Sequence, residues 1–200
     1  MKPFLLSIIT ILSFAFVLAP EPLPIGAEIP LANIQMQTTS GNEVSLKDAM
    51  KQNGLLVMFS CNTCPVVVSN EERTNAICNY ALSKDIGVIL LNANEGSRSG
   101  NESLEAMKAY AKQQNYKWPY AEDKDHQLAD AFGANRTPEI FLFDKNGKLV
   151  YHGAIDDNPQ NPSSVNRNHL QIAIDELTNG KKITTEKTRS IGCTIKRVKK

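Results

Sequence analysis

The sequence has little net charge and few residues that could bind a metal, and both shortages exclude classes of protein. Its 200 residues carry a formal net charge of +1, whereas general nucleic-acid and membrane-surface proteins have a marked basic excess. There are four cysteines and three histidines, but Cys78 and Cys193 are isolated and the histidines are scattered. A structural zinc site needs four such ligands, usually in two close pairs. The composition therefore argues against both a nucleic-acid-binding protein and a structural zinc protein.

The other two cysteines form a close pair, Cys61-Asn62-Thr63-Cys64, between a predicted buried strand and a predicted helix. The apolar run 55–59 precedes the pair and Pro65 follows it, and proline suits the first turn of a helix. The positive end of the helix dipole stabilises a thiolate, so we expect the pKa of Cys61 to fall and Cys61 to be the nucleophile. Cys64 would resolve a mixed disulfide on Cys61. Half of a zinc site and core filling are the alternatives, and neither explains this placement.

The N-terminus has the features of a secretory signal. Lys2 precedes an apolar run that ends at Ala19, which is the order of charged and apolar residues in such signals. We interpret residues 1–19 as a signal peptide or an uncleaved signal anchor. Residues 20–25 contain three prolines and are predicted to be a stiff linker. The predicted location is the periplasm or another exported site, with a membrane tether if the segment remains uncleaved.

The C-terminus is basic although the whole chain is balanced. Residues 181–200 contain eight Lys or Arg residues and one acid, and we expect a solvated tail. Cys193 lies in this tail, where no periodicity places it in a core, so it is predicted as a possible additional redox thiol. An inert cysteine and a bridge to Cys78 are the alternatives. Cys78 is nearly co-facial with Cys64 on the predicted helix and is predicted to fill the core.

Apolar patterns along residues 26–180 alternate between strands and helices, which indicates a single domain with a parallel core. The Asn146-Gly147 pair indicates a hairpin turn. The predicted elements are a hairpin over 34–46, strands at 55–60, 87–91, 138–143 and 149–152, an extended piece at 118–120, and helices at 47–53, from the cysteine pair to about 82, 103–114, 126–132 and 168–179.

Four segments together carry a resemblance to a known family: 59–65, 137–144, 151–157 and 191–196. They resemble the thioredoxin-like fold and, within it, the redoxin (alkyl hydroperoxide reductase/thiol-specific antioxidant) family, in a peroxiredoxin-like subgroup close to membrane-anchored thiol-disulfide oxidoreductases. The likeness runs from about Gly26 to Arg197. It implies a three-layer α/β fold with a central mixed sheet, helices on both faces, an N-terminal β-hairpin and an inserted helix-strand. It also implies that Pro138 is cis beside Cys61, and that Thr137 and Pro138 bind substrate.

The chain departs from its relatives at several positions. Thioredoxins proper have Trp before the first cysteine and Gly-Pro inside the pair, where this chain has Ser60 and Asn62-Thr63, so the redox potential stays open. Peroxiredoxins have a Pro-x-x-x-Thr-x-x-Cys pattern, but Gly54 and Met58 occupy those places here. Copper-delivering relatives have a histidine near the Thr137-Pro138 position, and His152 lies well past it. Peroxidase and copper roles are therefore the weaker interpretations.

The sequence thus predicts an exported thiol-disulfide oxidoreductase that uses Cys61 and Cys64 on protein disulfide or dithiol substrates and receives electrons from an upstream donor. No cofactor, no metal and no nucleic-acid partner is expected. The three histidines are predicted to have surface or packing roles. The alternatives are a redoxin-type thiol peroxidase and, less favoured, a non-enzymatic metal-binding carrier.

Overall fold

A five-stranded mixed sheet forms the centre of the fold. The computed structural model describes residues 21–198. The central sheet has the order β5-β4-β3-β7-β8, and β1–β2 and β6–β9 are separate two-stranded ladders. The strands in chain order are β1 (Met36–Gln37), β2 (Glu43–Val44), β3 (Leu55–Ser60), β4 (Gly87–Asn92), β5 (Tyr120–Glu122), β6 (Arg136–Thr137), β7 (Glu139–Phe143), β8 (Leu149–Gly153) and β9 (Cys193–Thr194).

Strand β3 lies in the middle of the sheet and leads directly to the cysteine pair. It runs parallel to β4 and antiparallel to β7, and all six of its residues are buried. Successive side chains of a strand point to opposite faces, so Leu56 and Met58 pack with Cys78 in one core, while Val57 and Phe59 belong to a second core. Because both faces are covered, the strand reads as one continuous apolar run.

Helices cover both faces of the sheet, which confirms the predicted three-layer α/β fold. Met107 and Leu170 join the Cys78 core on one face, and Leu46 and Leu128 join the core on the other. The helices are α1 (Leu46–Ala49), α2 (Pro65–Ser69), α3 (Glu71–Ser83), α4 (Leu104–Gln113), α5 (Gln127–Phe132) and α6 (His169–Thr178). The core position predicted for Cys78, on α3, is confirmed, since its side chain is fully buried.

Three predicted elements differ from the observed ones. The helix expected over 47–53 is the short α1, which ends at Ala49. The hairpin expected over 34–46 has only two paired residues on each strand. The helix expected after the cysteine pair is broken at Asn70, whose backbone has φ −100° and ψ 0°. The side-chain amide of Asn70 donates to the backbone carbonyl oxygens of Val66 (2.6 Å) and Pro159 (2.9 Å). The break thus ties the helix that follows the cysteine pair to a distant loop.

The C-terminal tail is packed on the domain, so the expectation of a solvated tail was wrong. Ile183 and Ile195 are buried, and apolar burial favours an ordered chain. Farther along, the Thr188 hydroxyl lies 2.8 Å from the hydroxyl oxygen of Tyr151 and accepts from the N–H of Ala154 (3.0 Å). Strand β9 then pairs with β6. The basic residues are therefore carried by a segment that wraps the fold.

The predicted signal or anchor, residues 1–19, lies outside the described residues. Within residues 21–198, no helix is both long and apolar enough to cross a membrane.

Candidate active site

The cysteine pair occupies the turn from the end of β3 into α2. Cys64 is the N-cap residue of α2 and Pro65 is at its first position, as proline preferences predict. Cys61 lies three residues earlier, directly after β3. Both thiols are closed off from solvent, since Cys61 is 1% and Cys64 3% exposed. Within the described part of the chain, each of the four cysteines is a free thiol.

A buried carboxylate, Glu102, holds the turn between the two cysteines. Its oxygens accept from the backbone N–H groups of Asn62 (2.9 Å) and Thr63 (3.1 Å) and from the hydroxyl of Thr63 (2.6 Å). The amide of Asn92, at the end of β4, donates to the same carboxylate (2.6 Å). Glu102 is 1% exposed, and hydrogen bonds to a charged acceptor are stronger than neutral ones. The turn is therefore fixed from the interior of the domain.

Thr137 lies against both sulfurs on the other side of the pair. Its hydroxyl oxygen is 3.3 Å from the sulfur of Cys61, and the Cys64 thiol donates to its carbonyl oxygen at 3.2 Å. The Thr137-Pro138 peptide bond is cis, as the resemblance implied. The structure thus brings together the four residues predicted as catalytic or substrate-binding, Cys61, Cys64, Thr137 and Pro138, although 73 residues of sequence separate Cys64 from Thr137.

A second buried carboxylate, Glu139, shapes the loop before Pro138. It accepts from the backbone N–H groups of Asn135 (2.7 Å) and Arg136 (2.9 Å), and its other oxygen lies 2.8 Å from Nε2 of His152. The His152 ring also stacks on Phe141, with ring centroids 4.5 Å apart. His152 therefore has the predicted packing role and in addition orients the carboxylate that holds the edge next to Pro138.

The two active-site thiols differ in acidity, and the pKa of Cys61 is raised where we expected it to fall. The contact with Cys64, and then burial, raise the pKa of Cys61, and the charge of Glu102 raises it further. The same contact lowers the pKa of Cys64. The pair shares one proton and titrates as a unit, and the first negative charge falls on Cys64. After the contact with Cys61, the contact with Cys193 and the backbone N–H of Val67, in the first turn of α2, also lower the pKa of Cys64.

Cys193 also belongs to this cluster, although it is far away in sequence. It packs against the group formed by Cys61, Cys64 and Val67 and its thiol contacts that of Cys64. Burial, and then the contact with Cys64, raise the pKa of Cys193 to about 11. The alternative bridge from Cys193 to Cys78 does not form, because Cys78 lies in a separate core on α3.

Sequence reasoning missed the residues that support the site. Glu102, Asn92 and Tyr120 occur in no recognisable motif, and only the fold brings them to the turn between the cysteines, while Glu139 lies in the segment 137–144 but had no role assigned to it. Tyr120 donates to the side-chain oxygen of Asn62 at 2.9 Å. A polar residue at the end of each buried strand, as at Asn92, is the one signal that could have indicated them. Across residues 21–198, no three side chains of His, Cys, Asp or Glu are grouped as a metal site.

The fold and the paired thiols define the class of the protein, an oxidoreductase with a thioredoxin-like fold. More narrowly, the family model described as Redoxin matches residues 24–168, and the chain belongs to this family, as its motifs predicted.

Known proteins are similar over most of the chain. The thiol-disulfide oxidoreductase ResA of Bacillus thuringiensis (strain Al Hakam) is 28% identical over 130 residues, which cover 65% of this chain and 69% of the relative. A hypothetical protein of Sinorhizobium meliloti 1021 has a crystal structure with a TM-score of 0.81 and 32% identity, covering 89% of this chain and 97% of that one. The thioredoxin domain of a thiol-disulfide oxidoreductase from Bacteroides vulgatus matches with a TM-score of 0.55 and 21% identity, over 66% and 89% of the two chains, and supports the fold.

Proposed function

We propose that this redoxin is an exported thiol-disulfide oxidoreductase that exchanges disulfides with protein substrates through Cys61 and Cys64. The observation that carries the proposal is the convergence of both sulfurs on Thr137, at 3.3 and 3.2 Å. Two thiols at one point can exchange a pair of electrons with a substrate. The name of the similar ResA proteins, thiol-disulfide oxidoreductase, supports the same chemistry.

The exchange follows from the different acidity of the two thiols. In the oxidised protein, a substrate thiolate attacks the sulfur of Cys61, the Cys61–Cys64 bond breaks, and the electron pair leaves on Cys64. A sulfur with a lower pKa leaves faster, which favours Cys64 in this role. A second substrate thiolate then attacks the substrate sulfur of the mixed disulfide and releases Cys61. The substrate loses two electrons and the protein gains two.

The reverse reaction uses the same steps. Cys61 passes its proton to Cys64 and attacks a substrate disulfide as the thiolate. One substrate sulfur leaves and takes up the proton held by Cys64, so that Cys64 attacks the mixed disulfide on Cys61 as a thiolate. This releases the second substrate sulfur and closes the Cys61–Cys64 bond. An upstream dithiol donor would then return the pair to its reduced form.

Export is part of the proposal and is supported by the sequence of residues 1–19 alone. Such a signal delivers the chain to a compartment where disulfides persist. Fusion of residues 1–25 to a reporter enzyme that is active only outside the cytoplasm tests this part. Activity of the fusion is expected, and a reporter that remains inactive would contradict export.

The test of the exchange reaction is the reduction of insulin by dithiothreitol, followed by precipitation of the freed chain. The wild-type protein should accelerate the reaction, and Cys61→Ser should return it to the rate of dithiothreitol alone. Cys64→Ser should instead trap insulin as a mixed disulfide on Cys61, visible as a mass increase. Cys78→Ala removes a thiol outside the site and is the matched control. If Cys61→Ser and the wild type reduced insulin at the same rate, the proposal would be wrong.

A further inference from the structure

The C-terminal strand lies where an extended substrate would bind. Thr137 is paired with Cys193, and Arg136 with Thr194, in an antiparallel ladder. A peptide that adds a strand to an open edge uses the same backbone groups. The edge beside Pro138 is therefore already occupied by a segment of the same chain.

Glycine makes this close approach possible. A Cβ at Gly192 would lie 2.1 Å from the carbonyl oxygen of Thr137 and 3.2 Å from Cδ of Pro138. A side chain at 192 would consequently force the strand away from the proline. Gly96 has the same relation to the tail farther along, where a Cβ would lie 3.0 Å from the carbonyl oxygen of Lys196. The domain and the tail thus fit one another at two places.

The tail is held in place immediately after this strand. Ile195 is 3% exposed, and the backbone N–H of Lys196 donates to the side-chain oxygen of Asn94 at 2.8 Å. Arg197 donates to the carboxylate of Asp130 at 2.8 Å. These contacts fix the position of the residues on either side of Cys193, so the contact of its thiol with Cys64 is built into the fold.

We propose that Cys193 is a third redox thiol, carried on an internal strand that takes the place of an extended substrate and exchanges with Cys64. The proposal rests on the proposed function, because it requires a Cys61–Cys64 disulfide. It adds to that function an internal substrate of defined chemistry, namely a cysteine that directly follows a glycine in an extended segment.

The internal step balances without any further reactant. Cys193 loses its proton and its sulfur attacks the sulfur of Cys64 in the Cys61–Cys64 disulfide. The Cys64–Cys193 bond forms, the Cys61–Cys64 bond breaks, and the electron pair leaves on Cys61, which takes up one proton. The number of disulfides is unchanged, so no oxidant or reductant is consumed.

The arrangement has a consequence for external substrates. A protein segment that binds at Thr137 must displace β9, and displacement also exposes Cys61 and Cys64. The internal strand and an external substrate therefore compete for one edge. A substrate with a flat extended segment would compete best, since it can form the same ladder.

Disulfide mapping of the full chain tests the proposal. Trypsin places Cys61 and Cys64 on the peptide 52–73, Cys193 on 190–196 and Cys78 on 74–84. The wild type is equilibrated in a glutathione buffer, free thiols are alkylated, and the digest is analysed by mass spectrometry. We expect 52–73 linked to 190–196 in about a tenth of the molecules or more, and no link from 74–84. If 190–196 were joined to 52–73 no more often than to 74–84, the proposal would be overturned.

Two variants locate the link and test the role of the strand. Cys61→Ser should retain the link, because Cys193 can attack a mixed disulfide of Cys64 with glutathione and release the glutathione thiolate, and the link must then join Cys64 to Cys193. Cys64→Ser should lose it. Gly192→Val should also reduce the link because it pushes β9 from Thr137, and Gly100→Ala is the matched control because a Cβ there meets nothing closer than 3.8 Å. Retention of the link in Gly192→Val at the wild-type level would contradict the role of the strand.

The insulin assay separates this proposal from the proposed function. If the wild type reduces insulin and no link to 190–196 forms, the role of Cys193 fails and the exchange function stands. If the wild type does not accelerate insulin reduction, the exchange function fails, whatever links are found.

Discussion

The two sides of the cysteine pair are held in different ways. On the side of the turn, Glu102 is fully inside the domain and accepts four hydrogen bonds from three residues. On the other side, the edge at Thr137 is covered by the two-residue strand β9. A buried network tolerates little change, whereas a short ladder opens at small cost. The comparison indicates that the turn fixes the geometry of the thiols and that substrates enter from the tail side.

The largest expected effect is that of Glu102→Gln on the fixed side. The glutamine side chain has the same shape as glutamate but only one accepting oxygen. Two hydrogen bonds to a charged group are therefore lost, each worth about 1.5–3 kcal/mol. We expect the free energy of unfolding in urea to fall by about 4 kcal/mol. The pKa of Cys61 should also fall, because the negative charge beside it is removed.

Glu105→Gln is the control for that experiment. Glu105 lies on α4, is exposed, and pairs with Lys108 at 2.6 Å. Exposed pairs contribute about 1 kcal/mol or less. Equal losses of stability in the two variants would show that the turn is not fixed by Glu102.

A second prediction concerns Asp123, which holds the start of α5. This helix carries Asp130, the carboxylate that Arg197 of the tail contacts. The carboxylate of Asp123 accepts from the N–H groups of Leu128 and Ala129 at the start of α5, and burial raises its pKa to about 6. The unfolded chain loses this proton near pH 4. Between pH 4 and 6 the folded state therefore binds more protons, and its stability falls as pH rises.

Two units of pKa correspond to about 3 kcal/mol, so this is the expected loss from Asp123 over that range. It should be absent in Asp123→Asn and present in Asp125→Asn, an exposed residue nearby. Urea unfolding at several pH values gives the difference between each variant and the wild type. A difference curve for Asp123→Asn that does not change between pH 4 and 6 would contradict the prediction.

The smallest effect is expected for Arg197→Ala on the tail side. This change removes a partly exposed ion pair with Asp130 and a hydrogen bond to the carbonyl oxygen of Ala134 (2.6 Å), together worth about 1 kcal/mol. Opening of the tail should become about fivefold more frequent. Alkylation of Cys61 and Cys64 by iodoacetamide should accelerate to the same degree, with Arg189→Ala, an exposed residue of the same tail, as control. Unchanged alkylation would show that the tail does not cover the thiols.

The sequence predicted the parts of the site that local rules govern. A continuous apolar run, a cysteine pair and Pro65 are enough to place the thiols between a strand and a helix, and the Thr137-Pro138 pair was indicated by resemblance. The fall predicted for the pKa of Cys61 was wrong, because the contact with Cys64 and burial raise this pKa. The role of Glu102 could not be predicted, since it depends on where the loop before α4 meets the turn between the cysteines. The position of the tail strand could not be predicted either, since it depends on the close contact of Gly192 with Thr137, which is visible only in three dimensions.

The central claim, that Cys61 and Cys64 form an exchange-active pair, is tested most directly by a redox titration of the full chain. The protein is equilibrated at a series of glutathione ratios, its free thiols are alkylated, and the number of modified cysteines is measured by mass. We predict one transition in which two thiols are lost together, with a tenfold change in the oxidised-to-reduced ratio for about every 30 mV, and no such two-thiol transition in Cys64→Ser, which lacks the sulfur shared by both proposed disulfides. If no pair of thiols is lost at any glutathione ratio, or if Cys64→Ser retains the transition of the wild type, the account is contradicted.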